Sequence, residues 1–166
     1  MRVKMKTEEK QALIPSFAID HRKLLPGIYE SRVDFIGQET VTTFDIRMKK
    51  PNREPVVHPN AMHTIEHLAA TFLRNQSDMA DRIVYWGPMG CLTGCYLIVK
   101  GRPAPEEILP LMIRTFDYIV HFQGTVPGTL PENCGNYLLH DLEGARYEAK
   151  KYLQILKKNP GLRYPD

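Results

Sequence analysis

The sequence predicts an α+β fold: a single domain whose mainly antiparallel β-sheet packs against helices on one face. Extended runs come in consecutive pairs joined by short turns, which is typical of hairpins and not of regular βαβ units. Helical periodicity follows each pair of runs, in the order β-β-α-β-β-α-α. The length of 166 residues suits one domain. We therefore expect a single domain over residues 1–166, with a flexible segment at residues 1–12.

The first pair of extended runs lies between residues 27 and 48 and surrounds a turn at residues 36–39. Its second run alternates between apolar and polar side chains, with Phe44, Ile46 and Met48 against Asp45 and Arg47. Because successive side chains of a strand point to opposite faces, this alternation predicts a half-buried strand.

A rigid connection and then a helix follow the first pair of runs. Pro51, Pro55 and Pro59 make the connection rigid, because proline fixes the backbone φ angle. Asn60 is a favourable N-cap, so the helix is predicted to follow it and to continue through Arg74. Its buried face is one apolar stripe of Met62, Ile65, Ala69, Phe72 and Leu73.

The second pair of extended runs has a turn rich in glycine and proline. Residues 82–86 are predicted to form a strand and residues 87–90 a tight turn. A second strand is predicted at residues 95–100. Together they form a second hairpin that can extend the sheet.

Two further helices are predicted from periodicity and from their ends. The first begins at Pro105, a residue that suits the first turn of a helix, although Pro110 makes this boundary ambiguous. The second covers residues 141–158 and is stopped by the Asn-Pro-Gly sequence at residues 159–161. Their apolar faces are Ile108, Leu111, Met112, Thr115, Phe116 and Ile119 in the first and Leu142, Ala145, Ala149, Leu153 and Leu156 in the second.

Composition and charge exclude several classes of protein. The net charge of +3, without long basic runs, argues against a nucleic-acid binder. No apolar run reaches the ~18 residues that span a bilayer, and no secretion signal is recognisable. The chain has 3 cysteines, an odd number that disfavours a disulfide framework. We therefore expect a soluble, cytoplasmic protein with reduced thiols and with no nucleic-acid or membrane partner.

The H-x-x-E-H sequence at residues 63–67 is the strongest functional signal. His63 and His67 are four residues apart on the predicted helix, so both imidazoles can point at one metal ion. Glu66 lies beside them and could exchange protons with a group bound to the metal. A catalytic metal site needs a third protein ligand, and the candidates are Cys134, His58, His121, His140 and Glu132.

Two more cysteines need an interpretation. Cys91 follows the predicted turn at residues 87–90, and near a bound cation its thiolate would be a nucleophile or a proton carrier. The structural alternative is an inert buried thiol. Cys95 lies at the head of a predicted strand and is interpreted as a packing residue.

Two functions can be considered from the H-x-x-E-H motif alone. The first is a small metallopeptidase in which Glu66 activates a metal-bound water and the third ligand is Glu132 or Glu143. It needs neither Cys91 nor Cys134, and inverted-motif peptidases are generally longer because they must enclose a peptide. The second is a structural metal site in a binding module, which should have four protein ligands.

Several sequence blocks together resemble one known family. In chain order they are residues 16–21, 44–47, 63–67, 88–91, 93–94, 134–135 and 140–145. Through their order and spacing the chain is similar to S-ribosylhomocysteine lyase, the LuxS family, over most of its length. The resemblance implies a homodimeric α+β enzyme whose active sites lie at the subunit interface.

The resemblance also implies a metal and a set of site residues. The metal would be one Fe(II) per subunit, with Zn(II) or Co(II) as substitutes. The implied metal ligands are His63, His67 and Cys134, the implied acid/base groups are Cys91 and Glu66, and the implied substrate contacts are Ser16, His21 and Arg47.

The implied reaction is cleavage of S-ribosylhomocysteine to homocysteine and 4,5-dihydroxy-2,3-pentanedione, the precursor of the quorum-sensing signal autoinducer-2. A carbonyl must first move along the sugar, because β-elimination of the thiolate requires a carbonyl two carbons from the sulfur. One position departs from the family pattern. Many relatives carry an acidic residue in the strand before residues 88–91, where this chain has Tyr85 and Trp86, so a role for that carboxylate does not carry over.

Overall fold

The computed structural model describes residues 14–166, so the flexible segment predicted at residues 1–12 lies outside the described residues. The elements in chain order are α1 (Pro15–Ala18), β1 (Gly27–Ile36), β2 (Glu39–Arg47), α2 (Pro59–Asn75), β3 (Ile83–Pro88), β4 (Gly94–Lys100), α3 (Pro105–His121) and α4 (Leu142–Lys158). A 3-10 turn at Ala80–Arg82 precedes β3. Apart from the short helix α1, strands and helices follow the predicted order.

The strands form one antiparallel sheet in the order β1-β2-β4-β3. The predicted hairpins are the pairs β1–β2 and β3–β4. They join because β2 also pairs with β4, where Thr43 lies opposite Ile98. A mainly antiparallel sheet with its helices segregated from the strands confirms the predicted α+β class.

Helices α2, α3 and α4 pack with one another, and α2 and α3 also pack against the sheet. The inward-facing strand residues are buried in the core beneath them, and they include Phe44, Ile46, Trp86, Cys95, Leu97 and Val99. Burial of each large apolar side chain contributes roughly 1.5–3 kcal/mol to folding. Among residues 14–166, no helix combines the length and the apolar character needed to cross a membrane.

The second half of β2 is buried on both faces, so the prediction of a half-buried strand is wrong there. Asp45 and Arg47 are 2% and 3% exposed, although they alternate with residues that face the helices. The chain after α4 reaches them, because the Tyr164 hydroxyl donates to Asp45 Oδ2 over 3.0 Å. Arg47 Nη2 donates to the same oxygen over 2.6 Å, and this pairing offsets part of the cost of burying both charges.

Helix α2 begins earlier than predicted, with His58 and not Asn60 as its N-cap. His58 Nδ1 accepts a hydrogen bond from the backbone N–H of Asn60 over 3.3 Å. Pro59 takes the first helical position, where its fixed φ suits the helix and its missing N–H is not needed. The proline therefore belongs to the helix and not to the preceding connection.

Strand β3 extends through Gly87 and Pro88, which were predicted to form a tight turn. Proline lacks an N–H group, but β3 is an edge strand, where one missing donor is tolerated. The chain turns between Met89 and Gly94 instead, with Leu92 at a φ of 58°. Thr93, in this turn, lies beside the end of β2, where its carbonyl accepts from the Met48 N–H.

The ends of α3 and α4 are fixed by carboxylates. Helix α3 continues through Pro110, and the Glu107 side chain accepts from the Ala104 backbone N–H over 2.7 Å at its start. Helix α4 has Asp141 as its N-cap, which accepts from the Gly144 N–H over 2.8 Å. This cap ends the loop that runs from α3 past α2.

Candidate metal centre

Helix α2 directs two imidazoles towards one point. The ring centres of His63 and His67, one helical turn apart, are separated by 4.6 Å. The Leu139 carbonyl oxygen lies 2.6 Å from His63 Nδ1, and the Pro127 carbonyl oxygen lies 2.8 Å from His67 Nδ1. Because a carbonyl oxygen only accepts, each Nδ1 carries the proton and each Nε2 keeps a free lone pair.

Gly128 lets the loop after α3 approach His67 closely. Its φ is 72°, a conformation that favours glycine. A Cβ atom at this position would lie only 3.3 Å from His67 Nδ1. The glycine thus keeps the neighbouring Pro127 carbonyl in place to orient the imidazole.

A thiol from the loop before α4 joins the two imidazoles. Cys134 Sγ lies 3.5 Å from His63 Nε2. The backbone N–H of Asn136 donates to the same sulfur over 3.4 Å. The ligand atoms that lie within 4.8 Å of one another belong to His63, His67, Cys134 and His140.

His140 stacks on His63, with ring centres 4.1 Å apart. Its Nδ1 lies 3.1 Å from Thr64 Oγ1, and since that hydroxyl already donates to the Asn60 carbonyl, Nδ1 carries the proton. Its Nε2 lone pair is buried and has no partner among the described residues. Burial, together with the neighbouring His63 and His67, lowers the pKa of His140 to about 4. The ring is therefore neutral at neutral pH.

This group of donors fits a divalent transition metal. Two imidazole lone pairs and a sulfur that accepts an N–H bond converge beside a buried nitrogen without a partner. A cation bound by His63, His67 and Cys134 would satisfy the two imidazole lone pairs and the sulfur. Imidazole and thiolate ligands suit zinc, iron and cobalt.

Of the candidates for a third ligand, His140 joins Cys134 in the cluster, and the others lie elsewhere. His58 caps α2, and His121 is exposed at the end of α3, where its Nδ1 lies 2.9 Å from a carbonyl of its own helix. Glu132 is exposed, and Glu143 lies 3.3 Å from Arg146. Within residues 14–166 no carboxylate joins the cluster. The metallopeptidase with Glu132 or Glu143 as ligand is therefore not favoured.

Glu66 lies beside the cluster on the same helix. It is half-buried and, with His67, Thr71 and Gly128, lines a shallow depression of about 300 Å³. This position places a carboxylate next to one imidazole of the cluster, where it can exchange protons with a bound molecule.

A separate cavity of about 400 Å³ brings together four of the other predicted site residues, Ser16, His21, Arg47 and Cys91. Helix α1 supplies the serine, β2 supplies the arginine and the turn after β3 supplies the cysteine. A cavity of this size, lined by a few polar groups, is typical of a small-molecule site.

Arg47 and Thr93 lie beside the Cys91 thiol. Arg47 Nη1 donates to Thr93 Oγ1 over 2.5 Å and lies 3.9 Å from Cys91 Sγ. Thr93 Oγ1 lies 3.1 Å from the same sulfur. Burial raises the pKa of Cys91, but the hydrogen bonds with Thr93 and the charge of Arg47 outweigh it and hold this pKa below its usual value. The lowered pKa favours the thiolate, which can accept a proton.

The third cysteine and two unpredicted residues complete this region. Cys95 is a core residue, as predicted, with its Sγ 3.6 Å from Met62 Sδ. Neither Thr93 nor the buried Asp45 has a predicted role from the sequence. A hydroxyl two residues after a turn cysteine was the available signal for Thr93, whereas strand alternation assigned Asp45 to a solvent face.

Comparison with known proteins agrees with this geometry. A statistical model of the family S-Ribosylhomocysteinase (LuxS) matches residues 14–161. The S-ribosylhomocysteine lyase of Phocaeicola vulgatus is 63% identical over 140 residues, which are 84% of this chain and 87% of that protein. The enzyme of the same name from Porphyromonas gingivalis is 58% identical over 156 residues, 92% of this chain and 98% of its own. That from Clostridium beijerinckii is 50% identical over 146 residues, 88% and 92% of the two chains.

Proposed function

The chain belongs to the S-ribosylhomocysteinase (LuxS) family, and we propose that it cleaves S-ribosylhomocysteine to homocysteine and 4,5-dihydroxy-2,3-pentanedione. It is a carbon–sulfur lyase with a His/Cys metal site. The observation that carries this proposal is the convergence of His63, His67 and Cys134 on one point, beside Glu66.

In this proposal His63, His67 and Cys134 would hold the metal. When bound, the metal supplies a Lewis acid for the oxygen on which negative charge develops as the carbonyl moves. We propose Fe(II) as the native ion, one per subunit, with Zn(II) or Co(II) as substitutes. The mixture of imidazole and thiolate donors is compatible with all three ions.

Cys91 and Glu66 carry the protons in this proposal. Each carbonyl shift removes a proton from one sugar carbon and delivers one to a neighbouring position. Once the carbonyl lies two carbons from the sulfur, a proton is removed from the carbon next to the carbonyl. A C=C bond then forms and the C–S bond breaks. The electron pair leaves on sulfur, which takes a proton to give homocysteine. The products contain all the atoms of the substrate, so acid/base groups need no oxidant or reductant.

Ser16, His21 and Arg47 contact the ribose or the homocysteine portion of the substrate in this proposal. Support comes from their position, since they line the same cavity as the Cys91 thiol. The hydroxyl and the imidazole can form hydrogen bonds with sugar hydroxyls, and the guanidinium adds positive charge.

We also propose a homodimer with its active sites between the subunits. Cys91 lines one depression of the chain, and Glu66 lines another. Large apolar side chains are exposed nearby, with Phe17 at 66%, Tyr85 at 47% and Leu138 at 77%. Exposed apolar surface of this kind favours a protein interface. A second copy covering it would bring Cys91 of one subunit to Glu66 of the other.

A cytoplasmic location and a role in autoinducer-2 synthesis complete the proposal. All three cysteines are free thiols, and thiolates and Fe(II) both need a reducing compartment. The released pentanedione cyclises to the signal precursor, and homocysteine returns to the methionine cycle. We also propose that residues 1–166 form a single domain.

The proposed function is tested by a thiol assay on the purified, Fe(II)-loaded protein with S-ribosylhomocysteine. We expect equal amounts of homocysteine and the pentanedione. Peptide hydrolysis without thiol release would instead indicate a metallopeptidase and would overturn the proposal.

A further inference from the structure

The chain beyond the family match lies against the buried ion pair of β2. The match ends at residue 161, yet Tyr164 contacts Asp45. We propose that Tyr164 is a positioning residue, which fixes Asp45 and, through it, the Arg47 guanidinium that faces Cys91. The consequence for catalysis rests on the proposed role of Cys91 as a proton carrier.

Tyr164 supplies one of two hydrogen bonds to a buried carboxylate. Its hydroxyl donates to Asp45 Oδ2 over 3.0 Å, and Arg47 Nη2 donates to the same oxygen over 2.6 Å. The other oxygen, Oδ1, is buried without a partner among the described residues. The Tyr164 hydroxyl and the guanidinium are therefore the two donors that together fix the position of the Asp45 carboxylate.

Arg47 connects Asp45 to the Cys91 thiol. Its Nη1 donates to Thr93 over 2.5 Å and lies 3.9 Å from Cys91 Sγ. Its Nε is buried without a partner in the described part of the chain. The orientation of the guanidinium thus depends on Asp45 at one end and on Thr93 at the other.

The phenol ring is held independently of its hydroxyl. It stacks on Tyr29, with ring centres 4.8 Å apart and an interplanar angle of 8°. Gly161 fixes the segment after α4 to the start of β1. Its N–H donates to the Pro26 carbonyl over 3.1 Å, and its carbonyl accepts from the Ile28 N–H over 2.8 Å. The variant Tyr164→Phe can keep these contacts and remove the hydroxyl alone.

Other titratable groups also face the Cys91 thiol. They are Arg47 from β2, Tyr96 from β4, His21 from the segment after α1 and Glu54 from the connection after β2. Tyr164→Phe replaces none of these four side chains, and of the four only Arg47 shares a hydrogen-bond partner, Asp45 Oδ2, with the Tyr164 hydroxyl. A change at Cys91 in this variant would therefore report the Asp45–Arg47 pair.

The test is the pH dependence of Cys91 alkylation by iodoacetamide in the metal-loaded protein, followed by mass spectrometry of the Cys91 peptide. Without the phenol, Asp45 draws the guanidinium towards itself, and the positive field at Cys91 weakens. We expect the pKa of Cys91 in Tyr164→Phe to rise by roughly half a unit, which gives about threefold slower alkylation at low pH and equal rates at high pH.

The matched control is Tyr147→Phe, which removes a hydroxyl from an exposed tyrosine of α4. We expect its alkylation profile to equal that of the wild type. An unchanged profile in Tyr164→Phe, or an equal shift in both variants, would overturn the proposal. Alkylation needs no substrate, so this result is independent of whether the protein releases homocysteine.

Discussion

Cys91 and Cys134 are chemically identical side chains with different surroundings. Cys134 faces imidazole nitrogens that keep free lone pairs, as ligands of a shared cation do. Cys91 lies beside Arg47 and Thr93, which stabilise a thiolate without binding it to a metal. We therefore expect one thiol to bind the metal and the other to transfer protons.

The first prediction concerns Cys134. Cys134→Ala removes the sulfur donor, so metal affinity should fall by more than about 100-fold. Elemental analysis of the purified protein measures the remaining metal. Cys95→Ala is the matched control, because it removes a core thiol and should leave the metal content unchanged. Full metal occupancy in Cys134→Ala would reject the ligand assignment.

The second prediction concerns Cys91. Cys91→Ala should bind metal normally but release homocysteine about 100- to 10,000-fold more slowly, because it removes a proton carrier and no ligand. Metal content and thiol release are measured on the same sample. Turnover at the wild-type rate would contradict the proposed role.

At the residue scale, spacing in the sequence predicts which side chains meet on one helix better than which meet from distant parts of the chain. The separation of four residues was enough to place the imidazoles of His63 and His67 together, because helix geometry fixes that distance. Spacing could not choose between Cys134 and the other third-ligand candidates, since a loop position depends on the whole fold. Only the family resemblance selected Cys134, and the structure places His140, another of these candidates, in the same cluster.

At the scale of elements, capping side chains decide where the helices near the site begin. Asp141 caps α4, and its backbone N–H also donates to Thr64 Oγ1 on α2 over 2.9 Å. The same threonine orients His140. One N-cap thus joins the start of α4 to the helix that carries the H-x-x-E-H motif.

The third prediction follows from this cap. Asp141→Ala leaves the Gly144 N–H without its acceptor, so the free energy of unfolding should fall by about 1 kcal/mol, or roughly 2–4 °C in Tm. Thermal unfolding of the metal-loaded protein measures the change. Glu143→Ala, at an exposed neighbouring position, should change the free energy by less than about 0.5 kcal/mol. Equal stability of Asp141→Ala and the wild type would contradict the role of the cap.

Periodicity predicted the type of nearly every element. The burial of some residues, however, depends on contacts with distant parts of the chain. The pattern of β2 could not reveal that Asp45 and Arg47 are buried, because the covering residue, Tyr164, lies at the far end of the chain. Pro88 suggested a turn because its tolerance in a strand depends on β3 being at the edge of the sheet. Edge positions are a property of the assembled sheet and not of the local sequence.

At the scale of the whole molecule, the proposed site requires two copies of the chain. The depression of Cys91 and that of Glu66 are distinct in one copy, and exposed apolar side chains lie near both. In the proposed dimer, the sheet and the helices of each chain would present these two depressions as half-sites.

The fourth prediction tests this division. A mixture of Cys91→Ala and Glu66→Gln chains, unfolded and refolded together, should form mixed dimers with one intact site each. About a quarter of the wild-type activity should return if the chains pair at random, while each variant alone stays inactive. If mixed dimers form and no activity returns, Cys91 and Glu66 of one site belong to the same subunit.

The most direct test of the account as a whole is a titration of the metal-free wild-type protein with Fe(II) under anaerobic conditions, with homocysteine release measured at each step. If the cluster of His63, His67 and Cys134 is the catalytic metal site, release should rise in proportion to bound iron and reach a plateau at one ion per chain. Full release of homocysteine by the metal-free protein would contradict the account.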